Sequence, residues 1–327
     1  FLKKKDFIIP LAGLVGAPLC ENNKKEAIAV NLNAIKIIIN SISKNQKIIY
    51  PTSNSGYGIG KKNAFCTEKT PLNPISLYGR TKADAEKVVM KHKNSVSFRL
   101  ATVFGYSYRM RSDLLVNNFV KTAIDNNKLE IFEPHFRRNY IHINDIVNAF
   151  VFTINNFYKL KSNIYNLGLS SANITKLELA KKIKRFYKGL KIKIILGIKD
   201  PDQRDYFVSN KKIEKKGFKA KVTLDHGIQE LLKVFTNSDV LSDINSVFTD
   251  SSLNVAVELN TSDLSSNNGP ELCYEGNIKE INEDDSSSVS CSSRSSNSDM
   301  NSQDECDDSS SSGEDDSLDS TQSDEVV

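Results

Sequence analysis

Apolar segments with the pattern of buried strands alternate with amphipathic helical segments along the first hundred residues. The strand-like segments are Phe7–Leu11, Lys47–Tyr50 and Val96–Leu100, and the helical segments between them are Lys24–Ser43 and Leu77–Lys91. Apolar residues recur at helical spacing in the helical segments, which is typical of one buried helix face. Strand–helix–strand order requires crossovers between parallel strands, so the sequence predicts an α/β fold built on a parallel sheet.

The elements predicted after Gly105 are less regular. Helices are expected at Leu114–Ile124, Asn144–Ile154, Thr175–Tyr187 and Leu224–Val234, and strands at Leu129–Phe132, Tyr140–Ile143, Ile164–Leu167 and Lys191–Leu196. Thr175 and Glu178 have the spacing of a capping box, which predicts a helix start. In the first part of the chain, Pro51 is expected to end the second strand because proline cannot donate to a sheet ladder.

The charge of the chain changes sign near residue 237. Residues 237–327 carry 22 acidic and two basic residues, a net charge of −20, whereas residues 1–236 carry a net charge of +24. The acidic segment is rich in Ser and poor in aromatic residues, so it cannot bury enough apolar surface to offset its chain entropy. We therefore predict a disordered acidic tail at 237–327 and a folded part at 1–236.

Composition and residue spacing argue against several classes of protein. The 327 residues contain no run of 18 apolar residues, so no membrane-spanning helix is predicted. The five Cys form no CxxC pair and lie far from the four His, so we expect no metal site, no disulfide framework and a reducing, cytoplasmic location. The lysines are scattered without interleaved aromatic residues, which argues against nucleic-acid binding.

The first residues permit two interpretations. Lys3–Lys5 and the apolar stretch after them are similar to the start of a signal peptide, but Asp6 and Pro10 interrupt the stretch. It also fits a buried strand that ends in small residues, which we favour. Because the chain begins with Phe1, we expect further residues upstream.

Ser53, Tyr78 and Lys82 form the most informative chemical pattern. Tyr78 and Lys82 are four residues apart in a predicted helix and share one face. An ammonium near a phenol lowers the pKa of the tyrosine, which otherwise titrates near pH 10. Ser53 ends the preceding strand and can hold a substrate hydroxyl or carbonyl. Together they can move a proton on or off a carbinol oxygen while hydride leaves or enters the carbon. The alternative is a buried tyrosine with a lysine stem packed beside it.

These residues and several other segments resemble the extended short-chain dehydrogenases/reductases, within them the NAD-dependent epimerase/dehydratase group that modifies nucleotide sugars. The other segments are Asp6–Gly13, Ala29–Ala34, Arg99–Gly105, Leu129–Phe132, Arg138–Asp145 and Asp202–Tyr206. The resemblance covers about residues 6–236. It implies a Rossmann-like parallel sheet that lacks its first strand–helix units, an NAD cofactor and a nucleotide-sugar substrate.

The resemblance also implies roles for individual residues. Tyr78 is expected to be the acid/base, Lys82 to tune Tyr78 and hold the nicotinamide ribose, and Ser53 to orient the sugar hydroxyl. The residues expected to contact the cofactor are Leu11, Ala12, Gly13, Asn31, Tyr78, Lys82 and Ala101. Those expected to contact the substrate are Ser53, Thr102, Asn117, Asn118, Arg138 and Arg204, with the two arginines facing the diphosphate.

Domain boundaries and assembly are expected on the same basis. Residues 1–107 are expected to form a partial NAD-binding domain, and residues 108–236 a substrate-binding region interleaved with the last Rossmann elements. A homodimer is expected because family members usually pair through two helices, here Lys24–Ser43 and Leu77–Lys91. His142 is expected to be a packed structural residue, and Asp145 to lie in the first turn of the next helix.

Two departures from the family pattern affect the function. No Gly-rich turn follows a first strand, so we expect about 60 residues to be missing upstream and NAD binding by this chain to be weak or absent. Asn54 and Ser55 stand where related 4,6-dehydratases carry an acidic residue for elimination. This favours an epimerase, with a keto-sugar reductase or a dehydratase as alternatives. A non-catalytic interaction protein is the alternative from another class, because the Gly-rich turn is missing and the tail is acidic.

Overall fold

Parallel strand pairs dominate the fold, as the alternating pattern predicts. The computed structural model describes residues 4–61, 64–197 and 203–237, all within one compact unit. The strands are β1 (Phe7–Ile8), β2 (Lys47–Ser53), β3 (Phe65–Cys66), β4 (Ser95–Leu100), β5 (Thr102–Phe104), β6 (Lys128–Phe132), β7 (Arg137–His142), β8 (Asn163–Leu167), β9 (Asn173–Thr175), β10 (Lys191–Ile195) and β11 (Phe207–Val208). The main sheet has the order β1-β2-β4-β8 and is parallel throughout. Smaller sheets pair β5-β7-β9, β10-β6 and β11-β3.

Helices alternate with the strands along the described part of the chain. They are α1 (Ala17–Asn22), α2 (Lys24–Ile28), α3 (Ala34–Ser41), α4 (Leu77–Val89), α5 (Leu115–Asn126), α6 (Ile143–Asn155), α7 (Phe157–Leu160), α8 (Lys176–Phe186), α9 (Lys211–Glu214) and α10 (Leu224–Thr236). A π-helical turn, Ala29–Asn33, joins α2 to α3. The capping box predicted at Thr175 and Glu178 is present at the start of α8.

The strand β2 continues through Pro51, so the prediction that proline ends this strand is wrong. Pro51 pairs with Phe98 of β4, and the strand runs on to Ser53. On the other side, β2 pairs with β1 only as far as Ile48. Pro51 lies beyond that ladder, so its missing amide hydrogen leaves no group of β1 without a partner. The extension places Ser53 at the carboxyl end of the sheet.

The strand β7 is longer than the segment predicted at Tyr140–Ile143. It begins at Arg137 because its first three residues pair antiparallel with β9, a strand that the sequence does not predict. Its last three residues pair in parallel with β5. The extension incorporates Arg138 into a strand and buries it.

A buried ion pair fixes α4 against the main sheet. The guanidinium of Arg99 on β4 donates to both carboxylate oxygens of Glu86 on α4, with an Nη2–Oε1 distance of 2.7 Å. The two side chains are 6% and 3% exposed. Nη1 of Arg99 donates to the Tyr57 hydroxyl at 3.0 Å, and that hydroxyl lies 2.6 Å from Oδ1 of Asn166 on β8. The network therefore links α4 to β4, to β8 and to the turn after β2.

Two further findings concern the part of the chain that the structure describes. No helix there has both the length and the apolar character needed to cross a bilayer. Nor does that part contain a group of three His, Cys, Asp or Glu side chains arranged to hold a metal ion. Except for Asn237, the predicted acidic tail lies outside the described residues.

Candidate active site

Ser53 lies at the carboxyl end of β2 and caps the turn that follows. Its backbone is extended, and its side chain accepts the backbone N–H of Ser55 at 3.1 Å. Serine is favoured at such caps because its hydroxyl satisfies a free N–H group of the next turn. A short 3-10 turn, Asn54–Tyr57, begins here. The Ser53 hydroxyl is therefore at the sheet edge where parallel α/β folds bind ligands.

The first turn of α4 packs closely against this turn. Ser76 caps α4 by accepting the N–H of Gly79 at 3.1 Å. A Cβ atom at Gly79 would lie 3.0 Å from the carbonyl oxygen of Ser55, so a side chain at that position would force the two segments apart. The missing side chain permits the contact and brings Tyr78 next to Ser53.

A hydrogen bond from Ser53 acts on the Tyr78 phenol, and the joint role of the two residues stays a prediction. Burial raises the pKa of Tyr78 above its usual value near 10. The hydrogen bond from Ser53 and the positive charges of Arg204 and Arg111 act in the opposite direction, without reversing the effect of burial. The net lowering by Lys82 that the sequence predicts is not found, because desolvation of the phenol is the largest effect.

Lys82 lies one turn beyond Tyr78 and is 8% exposed. Its Nζ atom lies 4.7 Å from the centroid of the Tyr50 ring. Burial lowers the pKa of Lys82 to about 8, while the nearby Cys20 thiol acts weakly against this. Within residues 4–61, 64–197 and 203–237, Nζ forms neither a hydrogen bond nor an ion pair. A buried ammonium without an acceptor is costly, so this position suits a ligand hydroxyl.

The loop predicted to contact the cofactor follows β1. Leu11 and Ala12 are exposed there. The Asn31 side chain holds the next part of the loop by accepting the N–H of Leu14 and donating to its carbonyl, both at 2.9 Å. It also donates to the Thr81 hydroxyl of α4 at 3.4 Å. Asn31 thus positions the loop against α4, and its direct contact with a cofactor stays a prediction.

Several other predicted contact residues do not reach the Ser53–Tyr78 pair through the hydrogen bonds found. Ala101 is buried in an apolar cluster with Phe98 and Leu167, while Thr102 lies in β5. Asn118 is exposed on α5. The predicted roles of these residues stay predictions.

Asn117 is buried, and its amide holds the loop after β5. It accepts the N–H of Gly105 at 3.1 Å and donates to the carbonyl of Arg111 at 3.1 Å. Arg111 lies near enough to Tyr78 to influence its ionisation and forms an ion pair with Asp113 at 2.7 Å. Asn117 therefore supports the segment that carries Arg111, and its predicted contact with substrate stays a prediction.

The two arginines predicted to face the diphosphate lie in different surroundings, and among the described contacts only Arg204 is hydrogen-bonded to Ser55. Arg138 is buried in β7 and donates to the carbonyl of Arg137 at 2.9 Å. The guanidinium of Arg204 donates to the Ser55 hydroxyl and therefore joins the Ser53–Tyr78 group. Asp205 anchors the segment of Arg204, because it binds the Arg137 guanidinium at 2.8 and 3.1 Å. Contacts of either arginine with a diphosphate stay predictions.

Ser55 and Arg111 are not predicted from the sequence as site residues. The Ser55 hydroxyl lies 2.8 Å from that of Ser53. This could have been inferred from cap geometry, because a capping serine draws the residue two positions later toward itself. For Arg111 no local pattern was available, since the loop after β5 has neither helical nor strand periodicity.

The parallel sheet, with its helices and with Ser53 at its carboxyl edge, defines a Rossmann-type fold. A model of the NAD dependent epimerase/dehydratase family matches residues 1–168, and the chain belongs to this family. The resemblance stated from the sequence is therefore confirmed, as is the Rossmann-like α/β fold.

Individual relatives carry different activities. The chain is 30% identical over 181 residues to a UDP-glucose 4-epimerase of Lactobacillus helveticus, covering 47% of this chain and 53% of the relative. It is also 30% identical over 156 residues to a dTDP-D-glucose 4,6-dehydratase of Dictyostelium discoideum, covering 43% and 35%. The chain spans 35% to 59% of the length of the first four curated relatives.

Solved structures support the fold. A UDP-glucose 4-epimerase of Thermus thermophilus, determined in complex with NAD, matches with a TM-score of 0.62 at 18% identity and covers 72% of this chain and 79% of its own. A UDP-glucuronic acid 4-epimerase of Bacillus cereus, in complex with NAD and UDP-glucuronic acid, matches with a TM-score of 0.61 at 17% identity, covering 71% and 75%. NAD is thus the cofactor of the family and of these structural neighbours.

Proposed function

We propose that the protein is an NAD-dependent nucleotide-sugar epimerase in which Tyr78, Lys82 and Ser53 carry the chemistry. The observation that carries the proposal is their grouping at the end of β2. A phenol is hydrogen-bonded to a serine hydroxyl, one helical turn from a buried ammonium that has no acceptor among the described residues. Membership of the family supports the same reaction class.

The residues present fit an NAD cofactor on two observations. The Lys82 ammonium is 8% exposed and forms no hydrogen bond or ion pair with the described residues, so a ribose hydroxyl would satisfy it. The exposed residues Leu11 and Ala12 follow β1 at the carboxyl edge of the sheet, where dinucleotides bind in this fold. NAD, when bound, supplies the oxidation and the reduction.

The protein supplies proton transfer and orientation. Tyr78 takes the proton of a sugar hydroxyl as that carbon becomes a carbonyl, and it returns the proton when the hydroxyl forms again. Ser53 holds the sugar oxygen beside the phenol. Lys82 would hold the nicotinamide ribose, because a ribose hydroxyl would satisfy its ammonium. Return of hydrogen to the opposite face of the keto sugar inverts the carbon.

The turn after Ser53 favours epimerisation over elimination. Asn54 is buried, and neither polar atom of its amide has a partner in the part of the chain that the structure describes. An amide cannot act as the acid or base that loss of water requires. Oxidation and reduction at one carbon need only Ser53, Tyr78, Lys82 and the cofactor. A dehydratase or a keto-sugar reductase remains the alternative within the family.

The test is a turnover screen of the full chain with NAD and UDP-, GDP-, CDP- or dTDP-hexoses in D₂O, followed by proton NMR. An epimerase forms the epimer, retains hydrogen at the inverted carbon and leaves the net amount of reduced cofactor unchanged. Loss of water would identify a dehydratase, and stoichiometric cofactor consumption a reductase. Absence of turnover with every sugar, with the expected upstream residues restored and NAD binding verified by calorimetry, would favour the non-catalytic alternative.

Site variants test the residues. Tyr78→Phe is expected to abolish turnover while the far-UV circular dichroism stays unchanged. Tyr108→Phe, at an exposed tyrosine, is the matched control and should retain activity. Full activity of the Tyr78→Phe variant would remove Tyr78 from its assigned role.

We also propose a homodimer that pairs through α3 and α4. The support is an unpartnered apolar side chain on this surface, since Ile37 of α3 is 65% exposed. The resemblance to family members that pair through the two helices corresponding to α3 and α4 adds to this support. The cytoplasmic location predicted from the cysteines stays a prediction.

A further inference from the structure

A chain of hydrogen bonds runs from a guanidinium to the phenol of Tyr78. Arg204 donates to the hydroxyl of Ser55. The Ser55 hydroxyl lies 2.8 Å from that of Ser53, and Ser53 is hydrogen-bonded to Tyr78. The Ser53 oxygen also accepts the backbone N–H of Ser55 at 3.1 Å. Four side chains from three separate segments therefore form one continuous path.

The chemistry of the groups fixes the direction of this path. A guanidinium only donates, so the Ser55 oxygen is an acceptor toward Arg204. A hydroxyl has a single proton, and that of Ser55 can be given to Ser53 at 2.8 Å. Ser53 then accepts from both the N–H and the O–H of Ser55, so both of its lone pairs are used. Its own proton remains for the oxygen of Tyr78 in the free protein, and it is shared with the sugar oxygen when substrate is bound.

We propose that Ser55 and Arg204 are positioning residues, which act through Ser53 by directing its hydroxyl proton at the oxygen of Tyr78. A donor held in this direction stabilises the phenolate that must accept a proton from substrate. The positive charge at the start of the path strengthens each bond along it. The inference rests on the proposed function only because that function makes Tyr78 the acid/base.

The segment of Arg204 is fixed independently of the serines. Asp205 accepts the backbone N–H of Arg137 at 2.8 Å as well as its side-chain donors. This anchors the residue after Arg204 to the start of β7. The guanidinium is therefore presented to Ser55 from a fixed backbone.

Other charged or titratable groups also face Tyr78. They are Cys20 of α1, Tyr50 of β2 and Arg111 in the loop after β5, while Lys82 lies one turn further along α4. Burial raises the pKa of Tyr78, and of these groups Arg111 opposes the rise by its charge alone. Arg111 is thus a natural control, because it acts on the same phenol without a hydrogen bond to either serine.

The experiment is a carbon NMR titration of the full chain labelled at Cζ of tyrosine. The Tyr78 resonance is the one missing from Tyr78→Phe. The ratio of phenolate to phenol is compared at one alkaline pH, at which wild-type Tyr78 has begun to ionise. Circular dichroism at that pH checks folding. Ser55→Cys provides a second variant, because a thiol keeps the shape of serine but donates weakly.

The hydrogen-bond path predicts how each variant changes the ratio of phenolate to phenol at Tyr78. Ser55→Ala, Ser55→Cys and Arg204→Gln should each lower the ratio by a factor of about three to ten, as expected for loss of one hydrogen bond. Arg204→Lys should lower the ratio less than Arg204→Gln does, because lysine keeps a positive charge. In the Arg204→Gln background, Ser55→Ala should have much less effect than alone, whereas Arg111→Gln and Ser55→Ala should act independently.

Two results would overturn the inference. One is an unchanged ratio in a folded Ser55 variant, and the other is independent action of Ser55→Ala and Arg204→Gln. The titration needs neither cofactor nor sugar. Its failure would therefore leave the proposed epimerase standing, and absence of turnover would leave the hydrogen-bond path standing.

Discussion

Replacing Lys82 with methionine is expected to raise the free energy of unfolding at pH 7, although Lys82 belongs to the candidate site. Burial lowers the pKa of Lys82 from 10.5 to about 8. Each pH unit corresponds to about 1.4 kcal/mol, so keeping the charge in the folded chain costs about 3 kcal/mol. Methionine retains a similar unbranched stem and removes the charge.

The difference in free energy of unfolding between Lys82→Met and the wild type grows as the pH falls. Above pH 10.5 the lysine is neutral in the folded and the unfolded chain, so the cost is absent. As the pH falls from 10.5 to about 8, the unfolded chain binds the proton first and the wild type loses stability relative to Lys82→Met. Below about pH 8 both states are protonated, and the difference stays constant at its full size.

Urea unfolding followed by far-UV circular dichroism measures this difference, since the chain contains no Trp for fluorescence. Lys87→Met is the matched control, because Lys87 lies on the same helix with a side chain that is 73% exposed. Its effect should stay within about 0.5 kcal/mol. A Lys82→Met variant that is no more stable at pH 7, or that gains equally at pH 10.5, would refute the reasoning.

Three further changes test the packing, the segment of Arg204 and the assembly. Glu86→Gln leaves the buried Arg99 charge without its carboxylate and should cost about 3 to 5 kcal/mol in urea unfolding, most of which Glu86→Leu with Arg99→Met should restore. Burial acts against ionisation of Asp205, but its bonds to Arg137 keep its pKa below the usual value. The stability that this carboxylate contributes should therefore be lost as the pH falls below about 4. In Asp205→Asn the free energy of unfolding should depend less on pH in this acidic range. Ile37→Glu should convert the proposed dimer to a monomer in light scattering, and an unchanged mass would contradict the pairing through α3.

The fold follows from the sequence wherever the pattern is local. The helices around Ala34 and Leu77 and the strands around Ile49 and Phe98 lie close to their predicted positions, because their periodicity reports burial directly. The continuation of β2 through Pro51 could not be predicted, because it depends on how far β1 extends beside it. The start of β7 depends in the same way on its pairing with β9.

The candidate site likewise contains residues that local spacing predicts and contacts that depend on the tertiary fold. Tyr78 and Lys82 share one helix, and Ser53 precedes them at a strand end, so sequence spacing alone brings them together. The contact of Arg204 with Ser55 joins residues 149 positions apart and has no local pattern. Asn117 shows a role that the sequence does not reveal, since its amide holds the chain's own loop, while its predicted contact with substrate stays a prediction.

The prediction for the pKa of Tyr78 failed for a reason that bears on the mechanism. Proximity of a lysine to a tyrosine lowers the phenol pKa only if the ammonium keeps its charge, and burial opposes the charged form of both groups. With the Lys82 pKa at about 8 and that of Tyr78 raised, both side chains tend toward their neutral forms above pH 8. Above that pH the positive charges that remain near Tyr78 are the guanidiniums of Arg204 and Arg111, and both oppose the rise in its pKa. Above pH 8 the base in this site is therefore expected to depend on its arginines more than on Lys82.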